Sequence, residues 1–393
     1  MTRACTSGIG KIFSKVKLLQ LIAQLKTICG NQLIYTQSNG AVTTINNPTG
    51  AYNLTAINPK IVSIVCRNAP NITSLTLTDD ALLTSLDLQN CAALKTLNFS
   101  RCTALTSVNL NTFTSVTNLL FEDCNAITSF TATNLVTVTA DFNLRGTAAV
   151  IALTGAFSLP ALTTVGGVFY VYANAFSTLL TSVSLPALTS VGGTVIVANY
   201  TNVTSISAPN LASVGMDFNL KGCAALTIAS FNNLVSVGGN LFLHDNTSMT
   251  QLSLSSLASC DNIASYGCTL LSSVNLASLS SCSTINFNLC TALGSFSLPS
   301  MVAALLSEID FSSCSSLTSY SHGTIRFGGG GNLLWINAAL DVTSVNAILV
   351  GADAAAVVAA VIDLSGGTNA APTGAGIVAK ADLILNGNTV TTN

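Results

Sequence analysis

The chain has 393 residues, a formal net charge of −2, 7% charged and 49% hydrophobic residues, and a mean hydropathy of +0.61. An ordinary soluble domain carries about 25% charge, so these figures first suggest a membrane protein. Yet no run reaches the roughly 18 to 20 apolar residues a spanning helix needs, because Ser, Thr and Asn interrupt every apolar patch. That excludes a membrane span and points to one long core with a surface clad in Ser, Thr and Asn.

Charge is unevenly placed. Residues 1–60 hold six basic residues (Arg3, Lys11, Lys15, Lys17, Lys26, Lys60) and no acid, whereas residues 61–325 hold five basic and eleven acidic ones. Six charges over sixty residues are too dilute for a nucleic-acid surface. A leader that docks onto another protein is expected instead. The apolar segment Val16 to Ile28 is broken by Lys17, Gln20, Gln24 and Lys26, which is the spacing of an amphipathic helix near 11–29 and not of an export signal. Strand-like QLIYTQ and turn-rich NNPTG follow, so residues 1–60 read as an N-terminal attachment or capping segment.

From there a repeat takes over. Leu75, Leu86, Leu97, Val108, Leu119 and Phe130 stand eleven residues apart, most with an apolar partner two residues on. Apolar residues at i and i+2 make a short strand with one buried face. Farther along, one series runs Phe169, Val195, Phe218, Leu241, Ile263, Ile285, Ile309, and a second runs Val183, Ile206, Ile228, Leu252, Val274, Phe296. The spacing predicts coils of about 22–23 residues with two short strands each, stacked into a parallel β-solenoid over residues 61–337. About a dozen coils at roughly 4.8 Å per rung give a body about 55–60 Å long.

A ladder follows the first series: Asn174, Asn199, Cys223, Asn246, Cys268, Cys290 and Cys314. A small polar side chain turned inward there would bond backbone groups of the bend. With these rungs, L-T-S-h-x-L-x-x-C/N-x-x-L resembles a short leucine-rich repeat, and the L-x-S-V-G-G-x-h-x-h-x-x-N version resembles the receptor L-domain type of solenoid. The resemblance covers about residues 62–337 and implies an architecture, not an activity. Gly166-Gly167, Gly192-Gly193 and Gly238-Gly239 fall just before strands, where a bend needs positive φ or close backbone approach. A phosphate cradle would need a following helix, and a strand follows.

Residues 338–393 form a C-terminal α/β capping segment. Val345, Ile348 and Leu349 share a helical face, IDLSGG reads as a strand, a second helix starts near Thr373, and NTVTTN closes the chain. The phrase D-L-S-G-G-T-N-A-A-P-T-G-A-G with a closing T-V-T-x-N resembles the terminal segment of repeat-containing bacteriophage virion proteins. That resemblance implies an appendage, fibre or capsid decoration assembled in the host cytoplasm.

Candidate chemistry is sparse. Cys260…Cys268 and Cys282…Cys290 repeat at coil spacing and not at the C-x₂₋₄-C spacing of zinc sites. Neighbouring rungs permit disulfides by distance, but cytoplasmic assembly favours free thiols that fill the core. His244-Asp245 sits at a turn beside a ladder rung, and His322 precedes Gly323 in a loop. The pairs Asp79-Asp80 and Glu122-Asp123 read as solvated turns, since glycosidase carboxylates must face each other across a cleft. Gly328 to Gly331 and Gly374-Ala375-Gly376 lack the context of a nucleotide loop. Tyr170 and Tyr172 flank Val171; if Phe169 and Val171 face the core, both tyrosines face out and can serve as a platform for a sugar or protein.

The expectation is therefore a mainly β, leucine-rich-repeat-like solenoid with small α-containing caps at both ends. It has no catalytic residues, cofactor or metal, and it binds no nucleic acid. It is a structural and binding protein of a phage virion, attached to other virion proteins through its N-terminal segment. Its solenoid face meets a host-surface glycan or protein, and a homo-oligomer is compatible with the sequence. A bacterial cell-surface adhesin is the alternative. An enzyme such as a polysaccharide depolymerase would need a clustered carboxylate pair or metal site.

Overall fold

The computed structural model describes residues 31–58, 60–146, 152–301, 305–323 and 326–393. The helix expected near 11–29 lies outside the described residues. The rest is a mainly β, parallel solenoid of about twelve turns with two short helices near its C-terminal end.

One face is a single fifteen-stranded parallel sheet, running rung by rung from Thr49–Asn53 to Thr389–Thr392. Its register is set by the apolar series: Leu75 pairs with Leu97, Leu97 with Leu119, Leu119 with Phe142, Phe142 with Phe169, Phe169 with Val195, and so on to Ile309 and Leu333. Alternation places every such residue inside. Leu97 and Phe99 are buried while Asn98 between them is half exposed.

The opposite side carries the second series, except that Ile228 is exposed and Ala229 takes the inward place opposite Leu252; it is interrupted into shorter sheets such as Gly155–Ser158, Leu180–Ser184, Ser205–Ser207 and Ile228–Ser230, Gln251–Ser253, Ser273–Asn275. The middle coils also hold a third strand of two residues that the sequence reading counted into the bend. Ser115–Val116, Thr137–Val138, Thr164–Val165, Ser190–Val191, Ser213–Val214 and Ser236–Val237 stack as a six-stranded sheet. Two residues suffice there because one valine turned inward fills the corner between the two longer walls.

The glycine pairs owe their place to close approach, not to positive φ. A Cβ on Gly192 would stand 2.1 Å from the carbonyl oxygen of Gly166, one on Gly215 2.0 Å from that of Gly192, and one on Gly238 2.2 Å from that of Gly215. Gly215, which has no glycine neighbour, belongs to the same column.

At the N-terminal end Gln32–Gln37 forms an antiparallel hairpin with Val42–Asn46 and pairs on its other side with Ile61–Arg67. At the far end α1 (Val342–Ala354) and α2 (Ala375–Leu385) replace the side strands, while Val361–Leu364 and Thr389–Thr392 continue the long sheet. Asp341 caps α1 by accepting from Ser344 N at 2.7 Å.

One continuous core runs from Leu33 to Leu383. Phenylalanines stack between rungs, Phe142 on Phe169 at 5.0 Å and Phe287 on Phe311 at 5.6 Å between ring centres. The surface explains the scarcity of charge. Thr84, Thr128, Thr154, Thr204, Thr250 and Ser272 each donate a hydroxyl to a carbonyl one coil back, at 3.1–3.4 Å. Asn210 and Asn233 do the same to Pro186 O and Pro209 O at 2.8 Å. Three pairs of opposite charges join neighbouring coils, Arg67–Asp87, Arg101–Asp79 and Arg145–Glu122, whereas stacked like charges would repel.

Candidate binding face

The inward ladder comes first, since it fixes the bends that frame every outward side chain. Cys223, Asn246, Cys268, Cys290 and Cys314 are all fully buried. Cys268 donates its thiol to Leu243 O at 3.3 Å, Cys290 to Ser265 O at 3.2 Å and Cys314 to Phe287 O at 3.1 Å. Cys223 reaches Val197 O at 3.6 Å. Asn246 donates to Leu220 O and Leu243 O and accepts from Cys223 N at 2.8 Å. Burial pushes the Cys223 thiol up to about 11 and the Cys314 thiol to about 12, so these groups are protonated donors at neutral pH, not nucleophiles. The ten described cysteines are free and buried.

One rung differs from the sequence reading. Asn199 does not turn inward: it has φ 64° and is half exposed, with its Nδ2 donating to Ala173 O at 3.0 Å. Tyr200 takes the inward place, fully buried, with its hydroxyl unpaired. Counting settles why. The other rungs lie five residues after the strand's first inward residue, as Cys223 does after Phe218, and five after Val195 is Tyr200. Asn199 instead fills the left-handed corner that Asp79, Arg101, Asp123, Asp245, Leu289 and Ser313 occupy in other coils. Asn174 lies in the strand Phe169–Ser177, and its side chain is outside the described residues.

The Asp79-Asp80 pair is likewise split. Asp79 is exposed and bound by Arg101. Asp80 is fully buried and accepts from Ile61 N at 2.9 Å and Leu82 N at 3.0 Å, serving the first coils as a ladder residue. No group of three or more metal-ligating side chains is assembled among the described residues.

Outward residues of the long sheet form rows. Leu120, Asn143, Tyr170, Ile196, Asn219 and Phe242 make one row. Two residues on, Glu122, Arg145, Tyr172, Ala198, Lys221, His244 and Tyr266 make the next. Phe169 and Val171 are buried, so Tyr170 and Tyr172 do stand outward, both half-buried by their neighbours. The Arg145 guanidinium lies over the Tyr170 ring, 5.3 Å from its centre, while donating to Glu122 at 3.1 Å. Asn143 Oδ1 and Arg145 Nε beside these rings are buried without a partner.

A second aromatic group stands three coils on. His244 stacks on Tyr266 at 4.4 Å and 11°, meets Phe242 edge-on at 6.2 Å, and shares 2.8 Å between its Nδ1 and Asp245. Burial, followed by the Asp245 charge, raises the Tyr266 hydroxyl above its usual range. In the sequence His244-Asp245 reads as an isolated turn. The signal for the cluster was the +2 offset from the inward residues Leu241 and Ile263, the same offset that exposed the tyrosines.

A shallow groove of about 480 Å3 runs elsewhere, along the third sheet over Gly166, Gly192, Gly215 and Gly238, between Val138, Thr164, Ser190 and Ser213. It is the space left by the glycine column. Neither a charged nor an aromatic side chain lines it, so the aromatic face is the better candidate for recognition.

Residues 60–146 and 198–318 match, in six copies, the model of the BspA type leucine rich repeat region. A leucine-rich repeat protein from Eubacterium ventriosum is similar at 17% identity, over 70% of this chain and 91% of that one, with a TM-score of 0.19; so loose a superposition carries no weight for site or function. No curated protein matches the chain.

Proposed function

Because the chain belongs to the BspA type leucine rich repeat family, we propose that it is a non-enzymatic structural and binding protein whose working surface is the outward face of the long sheet. One observation carries this. Two aromatic groups, Tyr170 with Tyr172 and His244 with Tyr266, stand outward on a rigid sheet, the first with the Arg145 guanidinium over the Tyr170 ring. Aromatic rings on a rigid sheet suit a host-surface glycan or a protein loop.

The carrier is a bacteriophage virion, with residues 1–60 attaching the solenoid to other virion proteins. The C-terminal phrase DLSGGTNAAPTGAG supports that assignment. A bacterial cell-surface adhesin is the second reading, and membership of this repeat family supports it as well. Mass spectrometry of purified virions against that of host envelopes separates the two: recovery of the chain only from uninfected envelopes refutes the virion assignment. For the face itself, Tyr170→Ala with Tyr172→Ala should weaken binding to host envelopes by about tenfold or more. Unchanged binding removes this face as the working surface.

A further inference from the structure

The ten described cysteines are all buried, but their sulfurs face different groups. Cys102, Cys124, Cys223, Cys268, Cys290 and Cys314 each send a thiol to a carbonyl of the preceding coil, at 2.9–3.6 Å. The remaining four meet sulfur to sulfur. Cys91 Sγ lies 3.2 Å from Cys66 Sγ, and Cys260 Sγ lies 3.7 Å from Cys282 Sγ. A disulfide holds its sulfurs about 2.05 Å apart, so each pair is about 1–2 Å from bonding distance.

Register creates the second pair. Ser259 bridges Ser281 and Asn262 pairs with Thr284, so Cys260 and Cys282 are equivalent residues of adjacent coils. At the usual strand spacing their Cα atoms stand about 4.8 Å apart, inside the window of about 4.4–6.8 Å that a disulfide spans. Each lies three residues before an inward isoleucine, Ile263 or Ile285, as Gly215 and Gly238 lie before Phe218 and Leu241. The glycine column therefore ends in this pair. The third sheet ends there too: past Ser236–Val237 only single bridges at Ser259 and Ser281 continue it. Cys66 and Cys91 have a similar setting. Cys66 lies in Ile61–Arg67, whose partner Ser85–Gln89 is the last strand of the four-stranded N-terminal sheet, and Cys91 follows that strand by two residues. Both pairs thus stand where the ladder of backbone bonds on one side of the solenoid stops.

We propose that Cys66–Cys91 and Cys260–Cys282 are reversible disulfide sites that staple neighbouring coils when the protein passes from a reducing to an oxidising medium. The oxidant is a low-molecular-weight disulfide such as oxidised glutathione. One thiolate of a pair attacks a sulfur of the oxidant, a mixed disulfide forms and the first small thiol leaves. The second cysteine, deprotonated in turn, attacks the protein sulfur of the mixed disulfide, the bond between the coils forms and the second small thiol leaves. Each pair gives up two electrons and two protons, and the oxidant becomes two thiols. Cys260 and Cys282, at 6% and 3%, are the most exposed of the described cysteines, so a local opening of that corner admits the reagent. The six carbonyl-bound thiols keep their ladder role and stay reduced. The assignment is independent of what the outward face binds.

The experiment equilibrates the full chain in glutathione buffers from reducing to oxidising, alkylates the remaining thiols in denaturant, and maps peptides by mass spectrometry without reduction. The two pairs should appear as linked peptides, with Cys223 and Cys314 alkylated throughout, and dithiothreitol should return both pairs to thiols. Hydrogen exchange in the coils of Cys260 and Cys282 should slow by about tenfold or more on oxidation. Cys260→Ala should remove that gain and leave the Cys66–Cys91 linkage in place. Should Cys260→Ala not fold, loss of the gain when dithiothreitol is added to the unsubstituted chain carries the same test. A pair still alkylated as free thiols in the most oxidising buffer, or linked to any other cysteine, is struck from the assignment. Linked peptides with unchanged exchange overturn the stapling.

Discussion

Gly215→Ala is the sharpest probe of how the coils are held at their spacing. The added Cβ would stand 2.0 Å from Gly192 O and 2.8 Å from Gly192 C. Ordinary contact begins near 3.4 Å, so the two coils must part locally by about 1.4 Å. That parting pulls on the bonds Gly215 N to Val191 O and Ala212 N to Thr189 O, each 2.8 Å. Overpacking of this kind costs roughly 1–3 kcal/mol, and each of the two weakened bonds adds about 0.5–1.5 kcal/mol, so about 2–6 kcal/mol is expected. Gly294→Ala is the control. Its nearest neighbour, Ser316 O, is 4.0 Å away, so it should be neutral or stabilise by about 0.4–1 kcal/mol through the unfolded chain. The assay is hydrogen exchange mapped coil by coil, because a stacked array does not unfold as one two-state unit. Protection should fall in the coils flanking residue 215 and nowhere else. If Gly215→Ala and Gly294→Ala give the same exchange pattern and midpoint, close approach is not why glycine stands there.

The remaining expectations concern the ladder, the thiols and the far end. Asn246→Ala takes the side-chain partner from Leu220 O and Cys223 N in a fully buried bend and leaves Leu243 O with the Cys268 thiol; it should cost about 2–3 kcal/mol or more. Asn246→Cys, which restores one donor as in neighbouring coils, should cost clearly less in the same urea titration. A thiol reagent at pH 8 should leave Cys102, Cys124 and Cys314 untouched, since burial raises each thiol to about 12; rapid labelling of these sites in the folded protein would contradict their position. His322 lies against Gly351 of α1, and burial lowers its pKa although its bond to Gly323 O opposes the shift. The unfolded chain then binds the proton more readily, so the cap loses stability as pH falls below about 6.5. Exchange in α1 should therefore rise from pH 7.5 to pH 5, and His322→Gln should flatten that dependence.

Much of this fold was legible because stacking makes the sequence repeat. Leu75 through Phe130 gave the register directly, and the helix face Val345, Ile348, Leu349 was visible from its spacing and is buried as expected. The third strand was not legible. Two residues are too short to show a period, and Ser190–Val191 looks like part of a bend until its neighbours are stacked on it. Asn199 misled because residue type was read before position: asparagine suits both the inward rung and the left-handed corner, and only the count from Val195 tells them apart. The face was half legible. Tyr170 and Tyr172 flank one residue and show themselves, whereas Phe242, His244 and Tyr266 come from two coils, and their meeting depends on an offset that no local window contains.

The hydrogen-bonded rungs also make the molecule a ruler. Any two outward side chains in one row are separated by a whole number of coils, so distances along the face are quantised in steps of about 4.8 Å. Tyr172 and His244 can be brought nearer or moved apart only by deleting or inserting a whole coil, which keeps every vertical bond in phase. Changes in what the face can grip would then come in jumps of one graduation, and removing the coil of Lys221 should bring the two aromatic groups one step closer.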